Sequence, residues 1–528
     1  MQGITVAAHR AFARPVSGLV TTARLNVIIL TFLFVAALGV RMYHVNDPPL
    51  NFQATREYRS LIIARADYYD HNDAIPTWQK QVADFSRQKQ GVLEPPIFEK
   101  IVSYGYLLAG GEAFWIPKLL SSIFWIAGAY FLYLIALRIT DAPAAIFSVA
   151  FYLFLPFSII ASRSFQPDPL MIMLLLLSVL LILRYYEHPT RSALLIAASA
   201  AAFAFLVKPV CLFVILGAFV SMGIAQKGLR RAIISPTTVI FVAVMALPTL
   251  GAYLYGIATG RFLLGEAEKT LVPRLLVTSF FWQNLFKNIG AVVGFGAFTL
   301  ALVGVLLFRE GLPKALIIGL WAGYGIFCVA VDYNVATHDY YQLQLIPIVA
   351  LSLGPLAAIV IQHLRPIYTQ WLWRLALSAI VLLALLLSVA VVRPRLVSPG
   401  SQRLVDAEAQ IGARVGHSTD TVFLASDYGV SLEYHGLMSG YPWPLASDLE
   451  WERLTGTPSP NADARFNAWF AQRSPQYFIV LDMQEFDQQP DLQAFLTEHY
   501  PVLAQTDDYL IFDLRHPNAF QTMGRRWS

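Results

Sequence analysis

The side chains best suited to chemistry begin in a polar segment, roughly Arg41 to Glu112, that separates the first two apolar runs and carries Arg56, Glu57, Arg59, Arg65 and Glu94. In helical geometry, Gln53–Tyr69 places Arg56, Arg59, Ile63, Asp67 and Asp70 on one side and Tyr58, Leu61, Ile62, Arg65 and Tyr69 on another. Two arginines a turn apart on one face can grip a phosphate bidentately. The plain alternative is a solvated interfacial helix whose arginines meet lipid headgroups. Further on, Glu94 precedes Pro95 and Pro96, which deny the backbone helix and hold the carboxylate on a rigid turn. A carboxylate so placed suits general-base work, against the simpler reading of an acid favoured by the next helix's dipole.

Three more groups interrupt apolar stretches. In ASRSFQPDPL (Ala161–Leu170), Arg163 and Asp168 stand at the ends of a turn whose prolines preset the following helix. Charged residues at membrane depth read as functional, although the two can pair with one another and Asp168 can serve as a cap. Lys208 breaks LVKPV and either snorkels outward or meets an anionic lipid head. His338, Asp339, Tyr340 and Tyr341 open a later run, where tyrosines are ordinary belt residues. His338 has no His or Cys partner at zinc-ligand spacing, and a divalent ion held by carboxylates is left open.

The elements that must position these groups are mostly membrane helices. The chain has 528 residues, 56% hydrophobic and 14% charged, with mean hydropathy +0.54, which excludes an ordinary soluble protein. A net charge of +4 with basic residues at helix ends does not point to nucleic acid. About eleven apolar runs of roughly spanning length are expected near 25–43, 114–138, 143–161, 169–186, 192–207, 209–225, 232–257, 289–308, 314–331, 341–361 and 371–392. With a cytoplasmic N-terminus read as an uncleaved anchor, the inner loops carry Arg138, Arg184 and Arg191, then Lys227, Arg230 and Arg231, then Arg309 and Lys314, then Arg365 and Arg374. The Arg41–Glu112 segment, the turns at Arg163–Asp168 and Lys208–Pro209, the Thr259–Asn288 loop and Asp332–Tyr341 then converge on the extracytoplasmic face. Residues 1–394 form the membrane module with an outer loop at 44–112, and 395–528 an extracytoplasmic α/β domain, where short apolar runs alternate with amphipathic helices. That domain has no glycine-rich phosphate loop after a strand. Cys211 and Cys328 both lie inside apolar runs, which excludes a disulfide framework.

The motifs resemble the GT-C membrane glycosyltransferases that use polyprenyl-phosphate sugars, particularly the protein O-mannosyltransferase and lipid A aminoarabinose transferase group (glycosyltransferase family 39-like, bacterial type). The likeness rests on RMYHV closing the first run, TREYRSLIIARADYY, LEPPIFE, SRSFQPDPLMIM and HDYYQLQLIPIVA, and covers about the first 365 residues. It implies a polytopic α-helical GT-C bundle of about eleven transmembrane helices, multi-pass in the inner (plasma) membrane. It also implies transfer of a hexosyl or pentosyl group, with inversion, from a polyprenyl-phosphate donor to a glycan, lipid or protein acceptor. The implied catalytic carboxylates are Glu94, Glu57 and Asp168, the donor phosphate ligands Arg56, Arg59, Arg163 and Lys208, and the substrate contacts His338, Tyr340 and Tyr341. Many relatives carry an Asp-Glu pair in the first outer segment; QATREYRS has Arg56-Glu57 there and no aspartate. Glu57 stands in, or Glu94 is the base, which is the assignment favoured here. A lipid-linked glycan polymerase or ligase is the second reading and a lipid-glycan transporter the third; the latter should show internal symmetry, which the sequence lacks.

Overall fold

Prolines and a glycine decide where the membrane helices break. The computed structural model describes residues 16–91, 93–260, 271–364, 366, 371–454 and 460–518. The basic N-terminal stretch 1–15, the middle of the Thr259–Asn288 loop (261–270), Arg365 and the side chain of Arg374 lie outside what is described. All eleven apolar runs fall on helix. Among the described residues, however, eight helices are long and apolar enough to cross a membrane, or nine if one bent pair is a single span. Three runs account for the difference from eleven. The 143–161 run divides into Ala142–Phe154 and Pro156–Ala161, because a residue before proline is pushed out of the α region. Arg191–Val207 stops where Lys208, extended at φ −156° and ψ 115°, precedes Pro209. The 289–308 run straddles a 91° bend between Ser279–Val292 and Phe295–Leu306, turned by Gly294 at φ +78°, a conformation that costs glycine little.

The chain divides into two compact units. One comprises Met1–Val45, Val92–Ile97 and Pro117–Leu396; the other comprises Asn46–Gly91, Phe98–Ile116 and Val397–Ser528. In the first, Leu212–Lys227 and Leu312–Ala330 pack with their backbones almost touching. A Cβ at Gly217 would lie 2.2 Å from the Gly319 carbonyl oxygen, and one at Gly319 would lie 2.3 Å from that of Gly217. Gly319 and Gly323 form the small-xxx-small spacing that permits such an approach.

The second unit is built on a mixed five-stranded sheet. β1 (Thr421–Leu424), β2 (Gly440–Pro442), β3 (Tyr477–Val480), β4 (Val502–Gln505) and β5 (Leu510–Asp513) lie in the order β2-β1-β3-β5-β4. The β1 strand is parallel to β2 and β3, whereas β5 is antiparallel to β3 and β4. Strands β1, β3 and β5 are buried throughout, as expected of a sheet covered on both faces. Val422, Leu424, Phe478 and Phe512 pack on one side with Phe466 and Phe495. Phe423, Ile479 and Ile511 pack on the other with Ile411 and Leu432. The sequence reading missed β2, β4 and the helices Ala446–Leu454 and Met483–Asp487, which are short or lack clean periodicity.

Helix Ala54–Asp70 belongs to this unit and is buried over most of its surface, including Glu57, Tyr58 and Leu61–Ala64. This corrects the solvated interfacial alternative. It packs on Thr77–Gln90 and Val430–Gly436. Arg65 anchors the contact: its guanidinium carbon lies 3.5 Å from the Tyr434 ring centroid, its Nε donates to Glu112 at 2.8 Å, and Tyr434 donates its hydroxyl to the same carboxylate oxygen at 2.8 Å. Tyr58 Oη lies 2.8 Å from His435 Nε2. Burial, aided by the Arg65 charge, lowers the His435 pKa from 6.5 to about 3.

Two outcomes are expected. Gly319→Ala must separate the two helices and should cost about 1–3 kcal/mol, seen as a lower Tm of the detergent-solubilised protein. Gly325→Ala, whose Cβ would meet nothing within 4 Å, should not lower it. Because His435 stays neutral when folded but protonates when unfolded, its contribution is intact above pH 6.5. That contribution should be lost as pH falls toward 3, by on the order of 1 kcal/mol per pH unit. Denaturant midpoints across that window should fall less steeply for His435→Gln.

Candidate active site

Two charged residues that sit beside prolines meet inside the membrane unit. Asp168 opens helix Asp168–Glu187, between Pro167 and Pro169, and Lys208 occupies the extended break before Pro209. Lys208 Nζ donates to both Asp168 oxygens, at 3.0 and 2.8 Å, with the two residues 1% and 2% exposed. The sequence reading allowed Asp168 to pair with Arg163, or Lys208 to snorkel outward. The structure pairs Asp168 with Lys208, because each charge lacks water at this depth and the pair satisfies both. Tyr340 and Tyr341 place their ring centroids 5.0 and 4.8 Å from the ammonium, within cation–π range. His338 stacks edge-on to Tyr340 at 5.4 Å and lies 2.8 Å from Thr337 Oγ1. Asp168, Lys208, His338, Tyr340 and Tyr341 are thus brought together.

Arg163 donates to the carbonyls of Tyr43 and His44 at 2.9 and 3.0 Å. Beside it stands Arg41, fully buried, which sequence reasoning did not name as a site residue. Its guanidinium donates to Ser162 Oγ (2.6 Å), Ala37 O (3.0 Å) and Leu153 O (2.8 Å), all neutral acceptors. The available signal was RMYHV, an arginine at the last turn of an apolar run, which ordinarily reads as snorkelling. Gln166, in the turn between Arg163 and Asp168, is also buried, with neither side-chain polar atom bonded to protein. Asp332 is buried as well, held by the amides of Val272 and Tyr333 at 2.8 and 2.6 Å.

Glu94 stands half-buried in a bend ahead of helix Ile97–Ala109. Its stretch, Val92–Ile97, clusters with the membrane helices although the chain on either side belongs to the other unit. Tyr253 donates its hydroxyl to the adjacent Leu93 carbonyl at 3.4 Å. Arg56, Glu57 and Arg59 lie in the second unit. Glu57 is buried, and Arg59 Nη2 donates to Gly91 O at 2.8 Å, so the expected open pair of arginines is partly engaged within its own unit. Among the described residues, no group of three or more His, Cys, Asp or Glu is gathered to hold a metal ion. An apolar groove of about 530 Å³ runs along Leu271, Pro273 and Leu276 beside Ala322, Ile326 and Val329.

Known proteins share this architecture. The chain superposes on the crystal structure of ArnT from Cupriavidus metallidurans bound to undecaprenyl phosphate with a TM-score of 0.57 at 16% identity, covering 92% of this chain and 98% of that one. The apo form of the same protein gives 0.55 at 16% identity, over 92% and 97%. This chain has the GT-C fold. A second GT-C structure, the Archaeoglobus fulgidus oligosaccharyltransferase tethered with an acceptor peptide, gives 0.55 at 11% identity over 90% of this chain and 72% of that one. Residues 93–255 match the family described as dolichyl-phosphate-mannose-protein mannosyltransferase. No curated protein matches the sequence. The matched stretch of the GT-C bundle contains Glu94, Arg163, Asp168 and Lys208, whereas Arg56, Glu57, Arg59 and His338–Tyr341 fall outside it.

Removing one member of the buried pair strands the other. Lys208→Met or Asp168→Leu alone should destabilise the protein by about 3–5 kcal/mol, and the double substitution should recover much of that loss. A double-mutant cycle on thermal or denaturant stability checks it, and additive losses would contradict the pairing.

Proposed function

We propose that this chain is an integral membrane glycosyltransferase that moves a sugar from a polyprenyl-phosphate donor to an extracytoplasmic acceptor, with inversion at the anomeric carbon. The observation that carries the reading is the placement of Glu94: its six-residue stretch clusters with the membrane helices and lies in the mannosyltransferase-like domain that also supplies Arg163, Asp168 and Lys208. Glu94 is assigned as the base. It takes the acceptor hydroxyl proton as the new C–O bond forms at the anomeric carbon and the bond to the phosphate oxygen breaks, releasing the lipid phosphate. Arg163 and Arg41, buried cations with neutral oxygens among their partners, support charge on the departing phosphate. Asp168 and Lys208 already satisfy each other, so they act as a positioning pair that seats Tyr340, Tyr341 and His338 toward substrate. The GT-C relative crystallised with undecaprenyl phosphate supports a donor that enters from the bilayer, and the apolar groove beside Ile326 suits a prenyl chain. The topology proposed is an inner-membrane protein with a cytoplasmic N-terminus and the sheet-containing unit outside.

A second reading, transfer or polymerisation of a lipid-linked glycan, is favoured by the likeness to an oligosaccharyltransferase. The acceptor then is a glycan or a peptide. Membranes offered a panel of labelled polyprenyl-monophosphate sugars, with products identified by mass spectrometry, should show turnover that falls at least about 100-fold in Glu94→Gln. Retained turnover in Glu94→Gln with loss in Glu57→Gln would move the base to Glu57. Exclusive use of a pyrophosphate-linked glycan would establish the second reading.

A further inference from the structure

The C-terminal sheet changes direction between β1 and β3. The chain leaves β1 through helix Val430–Gly436, whose Leu432 packs on one face, and returns to β3 through helix Ala462–Trp469, whose Phe466 packs on the other. Parallel strands whose connections diverge in this way leave a crevice beyond their carboxyl ends, the usual ligand position in open α/β sheets. Here a cavity of about 580 Å³ occupies that place, bounded by Ser426 and Asp427 after β1 and by Leu481 and Asp482 after β3. Its size suits a small organic ligand.

The charge of the walls is one-sided. Glu408, Asp427, Asp482, Asp507 and Asp508 face a single guanidinium, Arg403, which is paired to Asp508 at 2.8 Å. Two of the acids are held rigidly. Asp427 accepts from the amides of Gly429 and Ser431 at 2.9 and 3.0 Å, and Asp482 caps the next helix through the Glu485 amide at 3.0 Å.

Glu408 supplies the independent observation. It is 1% exposed and lines the cavity. Its Oε1 accepts from Ser431 Oγ at 2.5 Å, while Oε2 is buried with no protein donor. A buried carboxylate oxygen without a donor is costly, and burial with the nearby Asp427 charge pushes the Glu408 pKa up to about 8. A ligand that brings its own positively charged donor relieves both penalties. The described carboxylates do not gather in threes closely enough to hold a metal ion, and Leu404, Leu481 and Met483 give the cavity an apolar wall.

We infer that this crevice is a second ligand site, separate from the glycosyl-transfer chemistry, that takes a small organic molecule bearing a primary ammonium group, seated on Glu408 and Asp482 beside the apolar wall. The ammonium can belong to an amino sugar or to an aminoalkyl headgroup.

Calorimetric titration of the full-length protein in lipid nanodiscs tests this with glucosamine, ethanolamine and, as a neutral isostere, glucose. Glucosamine should bind saturably and at least tenfold more tightly than glucose. Glu408→Gln, which keeps the shape and the Ser431 bond, should weaken glucosamine binding at least tenfold. Asp482→Asn, which can still cap its helix, should weaken it several-fold and carries the test if Glu408→Gln does not fold. Ethanolamine binding as tightly as glucosamine would support the site and assign it to an aminoalkyl group; tighter glucosamine binding would support it and assign it to an amino sugar. The inference is overturned by undetectable glucosamine binding, by equal affinity for glucose, or by affinity unchanged in the substituted proteins. It is equally overturned if Mg²⁺ or Ca²⁺ binds saturably in place of glucosamine.

Discussion

A single ion pair, buried where water does not reach, ties together the two prolyl breaks on which the membrane unit's polar chemistry stands. Lys208 and Asp168 are each unaffordable alone at this depth, since an isolated buried charge costs several kcal/mol. Together they satisfy one another at 2.8–3.0 Å. The pairing obliges the end of helix Arg191–Val207 and the start of helix Asp168–Glu187 to meet, and it holds the tyrosines of a third, distant segment against the ammonium. Polar residues can therefore be carried in a hydrocarbon-seeking bundle at defined positions. A pair of this kind contributes little net stability compared with a well-packed apolar substitute, so its retention is understood through the geometry it enforces.

The arginines nearby follow a different logic. Arg163 donates to the backbone carbonyls of Tyr43 and His44, and Arg41 spends its hydrogen bonds on two backbone carbonyls and a serine hydroxyl, which secures its position. Carbonyl and hydroxyl acceptors lack a full negative charge, so the three groups that hold Arg41 orient its guanidinium without neutralising it. Lys208 differs in having its charge matched by a carboxylate, which fits it for a positioning role in the proposed function and leaves the phosphate to the arginines.

Much of this was legible because proline and charge are unambiguous. Pro167-Asp168-Pro169 and Lys208-Pro209 announced where helices must end and which charges would stand at the breaks, and both breaks lie there. The resemblance carried by SRSFQPDPLMIM and LEPPIFE led to the GT-C fold. What stayed illegible was partnership. Nothing local distinguishes Arg163 from Lys208 as the partner of Asp168, because the choice depends on segments 40 residues apart. Arg41 looked like an interfacial arginine until its three acceptors, two of them more than 100 residues away, were in place. The polar composition of helix Ala54–Asp70 suggested exposure, yet the helix is buried because Arg65, Tyr58 and Glu112 find hydrogen-bonding and aromatic partners on Val430–Gly436. Strand β4 and helix Met483–Asp487 are too short for periodicity to reveal.

The second unit joins early helices from residues 46–91 and 98–116 to a sheet and further helices from residues after 397, with about 280 residues of the other unit between them in the chain. At a synthesis rate of about 5–20 residues per second, the early helices wait tens of seconds before the sheet that completes their core exists. During that interval, Tyr58 and Arg65 lack the His435 and Tyr434 side chains that meet them in the folded unit. Biogenesis of this protein therefore depends on shielding an orphaned amphipathic segment until the last quarter of the polypeptide arrives.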